Sequence, residues 1–163
     1  MSYYIKNGTD YVIREAQVAE WDAAMELAYR VFLRFEAEDY GEEGTYEFAR
    51  FVTDPLLKKM FLCGNYKLFV AEMNGQIVGI VSLRNINHIS LLFVEEKYHK
   101  NGIGRELMRY AYDFLKKETT YSCMTVNASP YGTEFYHKIG FEDTDVMIEK
   151  SGIRYTPMMC NII

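Results

Sequence analysis

The chain is poor in cysteine, has no surplus of basic residues and contains no long apolar run. Each shortage removes a class of protein. The three cysteines, Cys63, Cys123 and Cys160, are scattered and odd in number. Without CxxC or Cys/His spacing they offer neither a disulfide framework nor a zinc site, so no metal is expected and the compartment reads as reducing. A formal net charge of -5, from 18 Lys and Arg against 23 Asp and Glu, works against a nucleic-acid partner, because phosphate binding draws on clustered cations. No apolar stretch approaches the ~20 residues of a membrane span, and the start, MSYYIKNGTD, carries no apolar leader core. The expectation is a cytoplasmic protein with no membrane or nucleic-acid partner. No repeat, linker or low-complexity segment interrupts the 163 residues, which suit a single domain over 1–163.

Aromatic residues are plentiful: 15% of the chain, with 14 Tyr and 10 Phe, within an ordinary hydrophobic content of 49%. That favours a well-packed fold with an aromatic-lined cleft. Tyr11 to Arg14 is a short β-like run, and Trp21, Ala24, Met25, Ala28, Phe32 and Phe35 then fall at helical spacing, predicting a helix over 17–36. An acidic segment, EAEDYGEEG, leads to a second helical region over 45–62 that Pro55 must interrupt. From Lys67 the period changes. KLFVAEM and QIVGIVSL read as strands joined by Asn74-Gly75, a pair that accepts positive φ at both positions of a two-residue hairpin turn. HISLLFV over 88–94 continues the meander. Leu107, Met108, Ala111, Phe114 and Leu115 form one apolar helical face, and YSCMTVN over 121–127 is a further strand. Ser129-Pro130 is expected to open a helix that Gly140 closes. Strands over 141–148 and 154–160 finish the chain. Pro157 inside the last marks it as an edge strand that a second subunit could meet, so monomer and homodimer both stay open.

Between the third strand of the meander and the next helix stands YHKNGIGREL. A helix N-terminus with glycines beside it is a natural phosphate cradle, because unpaired N–H groups and the positive end of the dipole meet there. The alternative is a tight turn that needs glycine for its own geometry. A GTPase-type loop is excluded by the absence of Lys-Ser/Thr after Gly104. A dinucleotide fingerprint lacks its third glycine and its βαβ setting.

The run LLFVEEKYHKNGIGREL resembles the acetyl-CoA-binding motif of the GCN5-related N-acetyltransferase superfamily (GNAT), and VNASPYGTEFYHKIGFE resembles that family's next segment, in the same order. The resemblance implies an α/β (α+β) fold. Its mixed, mostly antiparallel central sheet has six to seven strands, flanked by about four helices and splayed between the fourth and fifth strands. It implies an enzyme, an N-acetyltransferase that passes the acetyl group of acetyl-CoA to a primary amine through a ternary complex. A non-catalytic acetyl-CoA-sensing module on the same fold is the competing reading. Cofactor contacts are implied for the main chain of Leu92, Phe93 and Val94, with the Leu92 N–H polarising the thioester carbonyl. The diphosphate falls to the turn residues His99, Lys100, Asn101, Gly102, Ile103, Gly104 and Arg105. His99 stands where the family has Arg or Gln. Asn127 matches a further cofactor-contacting position. Tyr136 matches the general acid near the sulfur, against the alternative of a core aromatic. His88, eleven residues before His99, is a candidate general base, against the alternative of a hydrogen-bonded histidine at a strand start. Acceptor choice in the family lies with the early helices, where Glu36 and Tyr40 sit among carboxylates. A small-molecule or peptide amine carrying positive charge is therefore expected.

Overall fold

The computed structural model describes residues 2–6 and 9–163, with side chains described from Asp10 onward. Strands β1 (Ser2–Lys6) and β2 (Thr9–Glu15) form an antiparallel hairpin ahead of the helices; β1 lies in the polar start where the sequence predicted no strand. Helices α1 (Trp21–Phe35), α2 (Ala37–Val52) and α3 (Pro55–Leu62) follow. Next come β3 (Tyr66–Met73), β4 (Gln76–Arg84), β5 (His88–Val94), α4 (Ile103–Glu118) and β6 (Cys123–Ala128). The chain ends with α5 (Thr133–Lys138), β7 (Glu142–Asp143), β8 (Ile148–Lys150) and β9 (Ile153–Asn161). The sheet runs β1-β2-β3-β4-β5-β6-β9-β7, with β8 hairpinned onto β9, and every pairing is antiparallel except β5 with β6.

Two apolar clusters hold the layers together. On one face α1 to α3 cover Leu68, Val70, Ile80, Leu91 and Phe93; on the other α4 covers Phe69, Ala71, Val81, Ile89, Met124 and Val126. The α1 face is the 3.6-residue stripe Trp21, Ala24, Met25, Ala28, Val31 and Phe32. Arg14 fixes the start of this helical segment by gripping Glu20 with two nitrogens at 2.8 and 2.9 Å, while Glu20 also accepts the Gln17 N–H. Asn74 and Gly75 both take positive φ, as the β3–β4 hairpin requires.

Three expectations change. The acidic segment is helical and forms the start of α2, broken at Gly41 (φ 67°), because Tyr40 and Phe48 pack on Phe32 at 5.1 and 4.0 Å and draw the segment onto α1. Helix α5 begins at Thr133, so Pro130 lies in the preceding turn and not at the first helical position. And β9 is interior, between β6 and the β7 and β8 strands. Pro157 fits there because it lies opposite Asn127 in a pair that exchanges no bonds: the main chain of β6 turns Thr125, and hence Asn127, toward β5, donating the Thr125 N–H to the Asn87 carbonyl. The Pro157 carbonyl, on its other side, accepts the Thr144 N–H. Tight contact joins α2 to the β8–β9 turn, where Gly152 at φ 78° would bring a Cβ to 2.9 Å from the Gly44 nitrogen.

Candidate active site

β5 and β6 are paired only at His88 with Thr125 and Ile89 with Val126, and beyond that the two strands separate into a wedge. A bulge sets what lines it. Ser82 and Leu83 of β4 face Leu91 and Ile89 of β5, which leaves Ser90 as an extra residue. Past the bulge, the Glu95 N–H donates to the Val78 carbonyl. In an antiparallel ladder the bonded pairs alternate, so Phe93 and Leu91 turn their main chains to β4 while Leu92 and Val94 turn theirs into the wedge. Phe93 is therefore corrected as a main-chain ligand: its backbone is spent on Ile80 and its ring packs 5.7 Å from Phe48. Asn127 presents its main chain from the other wall.

The glycine turn closes the open end of β5. Gly102 is the left-handed N-cap of α4 (φ 82°), and Lys100 is also left-handed (φ 64°). The Asn101 N–H is already given to the Tyr98 carbonyl, and that of Glu106 to Gly102, so the free helical donors are those of Ile103, Gly104 and Arg105. Gly104 lies inside the first turn of the helix. His99 does not reach toward these donors. Its Nε2, 2.6 Å from the Val94 carbonyl, must carry the proton, since a carbonyl only accepts. Its ring lies 4.8 Å from Phe35, which in turn stacks on Tyr131 at 5.3 Å. Beyond the turn, Arg105, Arg109 and Lys138 line a groove of about 470 Å³ together with Met108, Tyr112 and Phe141.

On the other side, α5 and the joint between α1 and α2 bring Tyr136, Glu36, Tyr40 and Ser129 together. Tyr136 is buried at 7% exposure, yet its hydroxyl has no hydrogen-bond partner and is not among the sealed polar atoms, so its tip is the part that reaches open space. Burial, with Glu36 and Tyr40 adding to it, pushes its phenol far above the usual range and keeps it protonated. Tyr40 is shifted the same way by burial and by the Glu36 and Asp39 charges. Glu36 is half-buried; burial pushes its carboxyl up, the neighbouring Ser129 hydroxyl opposes that shift, and the Asp39 charge adds to it. Ser129 also accepts the Gly132 N–H at 3.2 Å. Asp39 is held by Arg154, whose Nη2 is 3.5 Å from the carboxylate and 3.1 Å from the Asp39 carbonyl. His88 is apart from this group, at the closed end of the wedge. Its Nδ1 is 2.8 Å from Thr125 Oγ1, and burial, then the Arg84 charge, lower its pKa. Four residues of strand, about 13 Å, separate it from Leu92.

Residues 36–162 match the model of the acetyltransferase (GNAT) domain family. The chain belongs to the GNAT family. This GNAT chain is 27% identical over 149 residues to an uncharacterized N-acetyltransferase of Methanocaldococcus jannaschii, covering 84% of its own length and 63% of that protein's. It superposes on a GCN5-related N-acetyltransferase from Rhodopseudomonas palustris with a TM-score of 0.80 at 21% identity, covering 99% of this chain and 98% of that one. For the PaiA N-acetyltransferase of Thermoplasma acidophilum in complex with coenzyme A, the values are 0.76, 21%, 93% and 98%. The GNAT fold expected from the two motifs is thus present, splayed between HISLLFV and the next strand as anticipated, with nine strands and five α-helices among the described residues where six to seven and about four were expected. Three contributors escaped sequence reasoning. Ser90 carried no signal in an apolar run. Ser129 stood out only as a helix opener. Arg154 gave no hint that it would neutralise a residue 115 positions away.

Proposed function

We propose that the protein is an N-acetyltransferase that moves the acetyl group of acetyl-CoA to a primary amine of a small-molecule or peptide acceptor, directly, in a ternary complex. The observation that carries this reading is the pairing of two unsatisfied groups at one wedge: the main chain of Leu92 on one wall and the free hydroxyl of Tyr136 beside the other. The residues present suit the co-substrate. Leu92 and Asn127 offer main-chain groups to an extended amide-bearing arm, as a strand would. The three free amides of α4 face where a diphosphate would sit, and Arg105, Arg109 and Lys138 supply cations for further phosphate.

When bound, acetyl-CoA supplies an activated acyl group. The Leu92 N–H then polarises the thioester carbonyl and holds the charge that develops on its oxygen as the amine attacks. Tyr136 donates its hydrogen to the departing sulfur. Burial keeps the phenol protonated until the thiolate forms but also makes it a weaker acid, so the transfer depends on close placement against the sulfur. His99, committed to Val94, positions the strand end and leaves the diphosphate to the amides.

Thiol release from acetyl-CoA across an amine panel tests the reading, with Tyr136→Phe beside the wild type. Turnover that falls about 100-fold or more in the variant, with acetyl-CoA affinity retained, is expected. Binding without turnover over the whole panel, unchanged by Tyr136→Phe, would instead favour the sensor module.

A further inference from the structure

We propose that Phe35, with Tyr131, roofs the open end of the wedge and holds the pantetheine arm of acetyl-CoA in place, as a positioning residue; the assignment rests on the acetyl-CoA reading above. The two walls run parallel, so their far ends lie side by side, and each continues into a turn that forms one lip of the opening. His99 stands on the lip that follows β5, and Tyr131 on the lip that follows β6. Phe35, the last residue of α1, packs on both: its ring centroid is 4.8 Å from that of His99 and 5.3 Å from that of Tyr131, on which it stacks. Rings at these separations touch, so no third group passes between them. Helices α1 and α4 lie on opposite faces of the sheet. The bridge therefore covers the opening on the α1 side, and the free amides of Ile103, Gly104 and Arg105 belong to the helix on the other.

The two lips are held unequally. On the β5 side Arg30 pairs with Glu95 and Arg34 with Glu96 at 3.4 Å, and the Arg34 guanidinium lies over the Phe35 ring at 5.2 Å. His99 adds its Nε2–H to the Val94 carbonyl, so the ring that Phe35 touches is tied to the end of the strand itself. Phe35 is thereby fixed relative to Leu92 and Val94, whose main chains face the wedge. On the β6 side the contact is the ring of Tyr131, which is 54% exposed. That ring can be removed with little loss of core, whereas Phe35 is half-buried against the α1 to α3 cluster.

The chemistry of the arm needs such a cover. Its amides can pair with strand edges, but its methylenes and its branched dimethyl carbon cannot, and two walls that offer only main chain in the plane of the sheet leave those groups to water. Because His99 occupies the Val94 carbonyl, the arm also has one main-chain acceptor fewer at the depth of the lips. Apolar cover from Phe35 and Tyr131 then carries more of the hold there. Leu92 lies two residues, about 7 Å, deeper than Val94. An arm free to lift toward α1 at the lips would shift its thioester against the Leu92 N–H, and a shift on that scale is costly to a rate. The roof thus acts on the arm and on the register of the thioester, while the diphosphate is left to the amides of α4.

The test titrates wild type, Phe35→Ala, Tyr131→Ala and Tyr131→Phe with coenzyme A and with adenosine 3′-phosphate 5′-diphosphate, which keeps the phosphates and lacks the arm. Coenzyme A should bind about threefold or more weakly to Tyr131→Ala and about tenfold or more weakly to Phe35→Ala, the scale of one and of two lost ring contacts. Tyr131→Phe, which keeps the stack, should bind it as wild type does, and the armless nucleotide should bind all four proteins alike. Tyr131→Ala should also keep its Tm, so the result stands even where Phe35→Ala folds poorly. Unchanged coenzyme A affinity in both alanine variants, an equal loss for coenzyme A and the armless nucleotide, or a Tyr131→Phe protein as weak as Tyr131→Ala overturns the assignment. So does a wild type that binds coenzyme A no more tightly than the armless nucleotide, since the wedge would then hold no arm. With an amine that turns over, kcat at saturating acetyl-CoA should fall in Phe35→Ala while the KM for the amine holds. A loss confined to that KM would place the ring on the acceptor's path and overturn the roof. If the wild type acetylates no amine, the acetyl-transfer reading falls, and the titrations still decide whether the rings hold the arm.

Discussion

Substituting Gly104 by alanine separates a glycine kept for the fold from one kept for a ligand. Gly104 is the second residue of α4, within ordinary helical backbone, and an added Cβ would meet nothing nearer than the Phe135 ring at 3.6 Å and Val94 Cγ2 at 3.9 Å. Both are normal van der Waals contacts, so the folded protein gives up nothing to accommodate it. Alanine is favoured over glycine by up to about 1 kcal/mol inside a helix, and roughly half of that is expected in a first turn. For a chain of this size about 1 kcal/mol moves Tm by about 2–4 °C, so the apo variant should melt about 1–2 °C higher. The methyl would, however, stand beside the free amides of Ile103 and Arg105, where the proposed diphosphate site requires close approach to the backbone. Loss of even one well-formed charge-assisted bond there, about 1.5–3 kcal/mol, weakens acetyl-CoA binding by about tenfold or more. Gly102→Ala behaves differently: at φ 82° an L side chain is strained by about 1–2 kcal/mol, so that variant loses stability as well as binding. Thermal unfolding without ligand, alongside calorimetric titration with acetyl-CoA, reads both effects. A Gly104→Ala protein that melts well below wild type would show that the glycine serves packing. One that melts as predicted but binds acetyl-CoA unchanged would remove the diphosphate from this turn.

Gly152→Ala forces a Cβ to 2.9 Å from the Gly44 nitrogen and strains a residue at φ 78°, so it should cost about 2 kcal/mol or more in denaturant unfolding. It should also raise KM for the acceptor, because α2 carries Tyr40. Tyr136→Phe removes a hydroxyl without a protein partner and should leave Tm within a degree or two, whatever it does to turnover. For His88, burial lowers the folded pKa below the unfolded value near 6.5. The unfolded chain therefore binds the proton first as pH falls, and the stability His88 contributes is present above about 6.5 and lost on acidification toward the lower folded pKa. Denaturation midpoints of wild type and His88→Gln, measured between about pH 7.5 and 5, should show the wild type losing more; parallel curves would mean that the imidazole titrates as if exposed.

The parts of the fold that were legible in sequence carry local chemistry. Asn74-Gly75 announced its hairpin because few other pairs take positive φ twice, and the α4 stripe from Leu107 to Leu115 is a periodic signal that tertiary context merely buried. What stayed hidden depends on partners far along the chain. EDYGEEG reads as a loop by its glycines and charges; Tyr40 and Phe48 turn it into helix only because Phe32 is there to receive them. Pro157 reads as an edge signal, and the strand is interior because that residue's missing donor faces away from β6. Ser90 is the sharpest case. In HISLLFV nothing distinguishes a straight strand from a bulged one, yet the bulge decides whether Leu92 or Phe93 offers its backbone to the wedge. The glycine turn and Tyr136 drew attention through the resemblance to the family's two motifs, which residue spacing alone would not have given. The pairing of Asp39 with Arg154 carried no such signal, because the two lie 115 positions apart.

Unpaired polar groups are costly, at about 1–3 kcal/mol for each one withdrawn from water, and this molecule has few of them. Among the described residues the only sealed side-chain atom without a hydrogen bond is Glu106 Oε2, which still lies 3.5 Å from Arg109. The shell around the wedge is satisfied throughout: His99 with Val94, Ser129 with Gly132, His88 with Thr125, Asp39 with Arg154. Inside that shell the Leu92 main chain, the Tyr136 and Tyr40 hydroxyls, the Glu36 carboxylate and three amides of α4 have no partner that offsets their desolvation in full. The fold thus meets its hydrogen-bonding needs almost everywhere among the described residues, and the groups it leaves open gather at the wedge between β5 and β6 and at the start of α4.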